Sequence, residues 1–311
     1  MRNCRDNTDD IKFRRTLENM RYKACTPEDI KFLRSLVSLN RPGCHYISSA
    51  LWRDTPIIVF ENRQKDEINR LGCLHFAADT SQVLTHFYCT DTISTASEEC
   101  QVKSSAKCKA NSRVNTMSTD LQQVMWDLPA SSHENHAAPV LSLCLGLPVI
   151  ICYNVATELN ITKGQQATVY MWHASKADHG KLVLDVLFVL LENPPSPVIL
   201  EGLLHNVVPL LPRKNAGYVV LPNDRKIYIS RTQVDVLPQF AMTAYASQGH
   251  TMDKVTVMLN SLCDHHAYYT ALSRGRSVVN TTMLQGFDPK VITGRASSSL
   301  RHPQQSSIYL L

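Results

Sequence analysis

The sequence predicts an α/β protein, a parallel sheet interrupted by a small β-rich insertion. Three observations carry that reading. Residues 56–60 are a short, continuous apolar run that feeds at once into the polar stretch 61–69. A buried parallel strand leading into a helix start has this form. Residues 240–276 read as strand, polar turn, strand and helix. Between these stretches, residues 138–222 break into short β runs with turn signals every ~8–12 residues, the pattern of a small barrel or sandwich.

Composition bounds the function. The chain has 311 residues, 44% hydrophobic and 19% charged, enough for a sizeable core and about two domains. A formal charge of +5 permits nucleic-acid binding without arguing for it. Ten cysteines include no CxxC pair. Cys100 and Cys108 lie too far apart for a zinc pair, and Cys144 and Cys152 sit in an apolar run. They read as reduced, mostly buried thiols of an intracellular protein with no metal site. The N-terminus lacks the apolar stretch of a secretory signal. The longest apolar run, near 182–191, contains Asp185 and is shorter than the ~20 residues that span a bilayer. No membrane is expected as a partner.

In chain order, residues 1–45 form a helical lead-in. Ile11, Phe13, Leu17 and Met20 recur at near-helical spacing. Thr26 is an N-cap, Pro27 takes the first helical position, and Glu28 and Asp29 lie in the first turn. That helix runs through Phe32, Leu33, Leu36 and Val37 and stops at Pro42-Gly43. Residues 46–137 hold the first strand and its helix, then a polar insertion with a diffuse basic run, Lys103, Lys107, Lys109 and Arg113. Within 138–222 the expected strands are 141–145, 148–153, 167–172, 182–191 and 198–200, with turns at 160–164 and at the Pro194-Pro195 segment. Residues 223–295 are expected to return to the parallel sheet, through 226–231 and 234–236 and then 240–245 and 255–259. A helix over 264–272, a strand at 277–284 and a closing segment at 287–292 complete it. The tail, 296–311, is rich in Ser and Gln and reads as loose.

Two stretches carry a family resemblance. TAYASQGHTMDKV offers Thr243, Ser247, Gln248, Gly249 and Thr251, and YYTALSRGR offers Tyr269, Ala271, Leu272, Ser273 and Arg274. In this order and spacing they resemble motifs V and VI of superfamily 1 DNA helicases of the PIF-type and RecD-like branch, including fungal mobile-element-associated helicase-like genes. IVFENRQKDEIN resembles motif IV, and LCLGLPVIICYN with ITKGQQATV resembles the entry to an inserted SH3-like domain. The family's usual Lys is Ala246 here, a departure at one expected polar or phosphate contact. Asn160 and Gly164 split the family's Asn-Gly pair.

The resemblance implies a RecA-like parallel sheet with a small SH3-like insert at 138–222. It also implies the second motor lobe of an ATP-dependent helicase. That lobe supplies a guanidinium to the γ-phosphate, and Arg274 is the candidate, with Arg276 as its substitute. Its alternative is a surface arginine complementing a helix C-terminus. Asn62, Arg63, Gln248, Gly249 and Arg276 are implied at the nucleotide, and Thr243, Ser247, His250, Thr251 and Tyr268 at single-stranded DNA. At least one of Tyr268 and Tyr269 is expected in the core instead.

No GxxxxGK[ST] loop occurs, and no strand ends in paired acids. The phosphate cradle and magnesium ligand of a first lobe are therefore not among these residues. ATP and Mg2+ are expected to bind only with that lobe, on a partner chain, and the chain alone is not expected to hydrolyse ATP. A truncated gene product, a mobile-element remnant and one part of a split enzyme all fit, in an intracellular, nuclear setting. The alternative function is a non-catalytic module that binds single-stranded nucleic acid.

Overall fold

A computed structural model describes residues 7–38, 55–93, 117–159, 161–177, 180–249, 252–260 and 264–294. The expected stop at Pro42-Gly43, the basic run at Lys103 to Arg113, and His250 and Thr251 lie outside them. The chain begins with helices α1 (Thr8–Arg21) and α2 (Pro27–Ser35), strand β1 (Ile57–Val59) and helix α3 (Asn62–Asp79). Strands β2 (Thr85–Tyr88) and β3 (Thr90–Ile93) precede helix α4 (Thr119–Asp127). Next come β4 (Val140–Leu143), β5 (Pro148–Ile151), β6 (Gln166–Lys176), β7 (Leu182–Leu191) and β8 (Val207–Leu210). They are followed by β9 (Arg213–Val220), β10 (Lys226–Gln233), β11 (Val236–Pro238) and β12 (Ala241–Thr243). Strand β13 (Val255–Val257), helix α5 (His265–Leu272) and strand β14 (Thr281–Met283) complete the series.

The chain divides into two compact units, Met1–Ile68 with Phe240–Leu311, and Asn69–Gln239. The first holds a four-stranded sheet, β12-β1-β13-β14, with every pair parallel. Its strands are nearly all buried, as a parallel sheet requires. Leu36 and Val37 extend it: Met283 N–H donates to Leu36 O at 3.0 Å, and Val37 bridges Met283. α1 packs on α5, and its Phe13, Leu17 and Met20 are buried. Ile11, expected on that stripe, is 51% exposed. Its neighbour Asp10 is buried instead, where its carboxylate accepts the Val278 N–H at 2.7 Å.

α2 begins as its sequence dictates. Thr26 Oγ1 accepts the Asp29 N–H, and Asp29 accepts the Thr26 N–H at 2.9 Å, a reciprocal capping box. Asp29 also accepts from Thr16 and Asn19, both at 2.8 Å. Burial works against this carboxylate, but the hydrogen bonds win and hold its pKa below the ordinary value.

The second unit is antiparallel throughout. Its sheets are β11-β5-β6-β7-β8, β3-β10-β9 and β2-β4. Phe87 packs edge-on against Trp172, with centroids 5.4 Å apart. Met125 of α4 covers Val219 and Ile229. Three expectations change here. Residues 226–236 do not rejoin the parallel sheet, because β10 pairs with β9 and β3, and β11 pairs with β5. Residues 198–200 are not a strand; the chain there is a loop whose Val198 N–H is held by Asn206 at 2.9 Å. The β-rich unit is also wider than 138–222, because β2, β3 and β10 belong to it. Among the described residues no helix is long and apolar enough to cross a membrane.

Candidate functional site

The site is built where the crossover from β12 to β13 meets the end of α5. After Thr243 the backbone coils: Ser247 N–H donates to Thr243 O at 2.9 Å, and Ala246 N–H reaches Thr243 Oγ1 at 3.3 Å. Ser247 is fully buried, and its hydroxyl donates to Ala244 O at 2.7 Å. Its side chain therefore locks the turn and is not presented to a strand, contrary to its expected role. Gln248 and Gly249 follow on the exposed side. Gly249 has φ +95° with nothing near its missing side chain, so conformation, not space, calls for glycine.

α5 starts at Asp264, whose carboxylate accepts the His266 N–H at 3.2 Å, and ends at Ser273. Arg274 is half-buried there. Its Nε donates to Thr270 O at 2.7 Å, Nη2 to Ser273 Oγ at 2.7 Å and Nη1 to Ser247 O at 3.5 Å. Met252 N–H donates to Arg274 O at 2.9 Å, and Arg276 N–H to Met252 O at 3.1 Å. A bridge pairs Met252 with Gly275. The two sequence motifs are thus one structure. Gly275 is the reason they fit: a Cβ there would collide with Thr281 Oγ1 and sit 3.1 Å from Val255 Cγ1. Arg276 pairs with Asp253 at 2.7 Å, both exposed.

Tyr268 does not face outward. It is 1% exposed and packs edge-on against Phe287, so it is the core member of the tyrosine pair and cannot stack on a base. Asn62 and Arg63 begin α3 just past the C-terminal end of β1. Arg274 and Arg276 lie between α5 and β14. Lys65 was not singled out in the sequence: it is buried and bonds Asp66 at 3.1 Å, a pairing of chain neighbours with no periodic signal.

Asp264, His265 and His266 bring one carboxylate and two imidazoles within 4.8 Å of one another. The carboxylate already caps α5, and a helix N-terminus disfavours a cation. Burial first, then His266 and Lys23, hold the His265 pKa below its usual range. The cluster is a helix cap.

Solved structures resemble this arrangement across nearly the whole chain. Pif1 helicase from Candida albicans is 19% identical with a TM-score of 0.57, covering 99% of this chain and 58% of that one. Pif1 from Bacteroides, solved with ADP-AlF3 and ssDNA, is 16% identical with a TM-score of 0.57, covering 99% of this chain and 55% of that one. The fold matches that of Pif1 helicases. The chain spans little more than half the length of either Pif1 structure. No family model matches it, and no curated protein matches it in sequence. In this Pif1-type fold, the two stretches that carried the resemblance flank β13.

Proposed function

We propose that the chain is the second motor lobe of an ATP-dependent DNA helicase. Arg274 is its arginine finger, and the turn that carries Gln248 and Gly249 couples the nucleotide to the single-stranded DNA track. The observation behind this reading is the hydrogen-bonded junction between Arg274 and the Ser247 turn. Thr270 and Ser273 hold the guanidinium with short bonds, while the Ser247 contact is at the outer limit of a hydrogen bond. A γ-phosphate oxygen, a stronger acceptor, displaces that third contact. The Ser247 carbonyl then lets go, and the exposed turn shifts against the strand it touches. Nucleotide occupancy and strand grip are coupled through the Arg274–Ser247 contact.

Thr243, His250 and Thr251 supply further strand contacts, and Asn62, Arg63 and Arg276 further nucleotide contacts. The five-stranded sheet around β6 and β7 is the SH3-like insert. These 311 residues contain no glycine-rich lysine loop. ATP and Mg2+ accordingly bind with a first lobe, in an intracellular, nuclear setting.

The test pairs the chain with a Walker A lobe of a Pif1 helicase and follows DNA-stimulated ATP turnover. Arg274→Ala is expected to lower kcat by about 1000-fold or more, and Arg274→Lys does not restore it. Turnover by the chain alone, abolished by Arg274→Ala, overturns the division of labour between two lobes.

A further inference from the structure

The three-stranded sheet β3-β10-β9 has two unlike faces. One is closed: Val219 and Ile229 lie under Met125, and Asp91 meets Arg231. Strand alternation fixes the side chains that share the other face. On β10 these are Lys226, Tyr228, Ser230 and Thr232. Register sets Tyr218 opposite Tyr228 and Lys214 opposite Thr232. The two tyrosine rings meet edge-to-face, with centroids 6.1 Å apart and planes at 70°. Lys226 Nζ lies 4.4 Å from the Tyr218 centroid. Tyr228 is 46% exposed. No outward position of β9 or β10 holds an acidic residue.

A ring already fixed by a neighbour loses little freedom when a base stacks on it. Lysines beside it add attraction to phosphates without selecting a sequence. We propose that this face binds single-stranded DNA, one base stacking on Tyr228 while Lys214 and Lys226 meet the flanking phosphates. The assignment rests on the reading above that the chain handles single-stranded DNA. It places part of the track on the inserted unit. Sequence-tolerant binding follows, because every base has a π-face.

The experiment measures fluorescence anisotropy of labelled oligo-dT with the full chain at low salt, then across a salt series. Tyr228→Ala is expected to weaken binding by about ten-fold, whereas Tyr228→Phe retains it. Lys214→Ala with Lys226→Ala is expected to reduce the slope of log K against log salt by about 1.4. Circular dichroism checks that the variants keep their sheets. If the wild type binds and all these variants bind equally well, the face is not the site and strand binding itself stands. If the wild type does not bind at low salt, both ideas fall.

Discussion

Arg231 and Asp91 meet side-on inside the second unit, Nε to Oδ1 and Nη2 to Oδ2, both at 2.8 Å. Nη1 donates to Ala137 O at 3.0 Å, and Gln122 Nε2 reaches Asp91 at 3.4 Å. The side chains are 1% and 0% exposed. Removing one partner leaves a charge without water or counterion. Arg231→Ala is expected to cost about 3–5 kcal/mol, read by urea denaturation with Trp126 and Trp172 as reporters. A loss under about 1 kcal/mol, the worth of an exposed pair, would mean that water reaches this one.

Gly275 meets the buried Thr281, whose hydroxyl donates to Ser277 O at 2.8 Å. The obstacle is thus a fixed side chain, not a flexible tip. Gly275→Ala is expected to destabilise by about 1–3 kcal/mol, the usual cost of overpacking. Thr281→Ala should return part of that loss, and a double-mutant cycle by thermal melting measures the coupling.

His133 links stability to pH. It is 1% exposed and its Nδ1 accepts the Asn135 N–H at 3.1 Å. Burial first, then the like charge of Arg231, hold its pKa below 6.5, against the pull of Asp91 and Glu134. A lowered histidine is neutral when folded and takes a proton more readily when unfolded. Its contribution is full above pH 6.5 and is lost as pH falls from there toward the folded value. His265 acts with the same sign in the other unit. Denaturation midpoints measured from pH 7.5 down to about 5 should fall, and His133→Gln should flatten the trend. An unchanged slope in that variant removes His133 as a cause.

Burial pushes the Cys25 thiol up to about 12, with Asp29 adding to it, and the Cys73 thiol up to about 12, with Cys144 adding to it. Only about one molecule in 10,000 carries either thiolate at pH 8. Iodoacetamide at that pH should leave both unlabelled until denaturant is added. Peptide mapping by mass spectrometry decides, and rapid native labelling contradicts the buried placement.

Much of this was legible in the residues. The apolar run of β7 matches its expected bounds, and Thr26 caps α2 as its spacing requires. The strand, turn, strand and helix after Phe240 appear in order, because each is bounded by its own turn residues. Three things were not legible. Residues 226–231 alternate, and alternation marks a strand without naming its partner; a one-sided pattern in fact suits an antiparallel sheet better than a buried parallel one. Tyr268 sits on an eight-residue helix with too little periodicity to separate its faces. No local pattern links Asp91 to Arg231, because long-range pairing leaves no trace in spacing.

β1 lies between β12 and β13, and both partners follow the inserted unit in the chain. During synthesis, residues 57–59 emerge with nothing to bond. At about 5–20 residues per second, they wait many seconds for residues 241–243. The inserted unit is complete by then, so it closes first and the parallel sheet assembles last. A ribosome stalled when residue 239 has just cleared the exit tunnel should therefore hold a protease-resistant body with an unprotected leader.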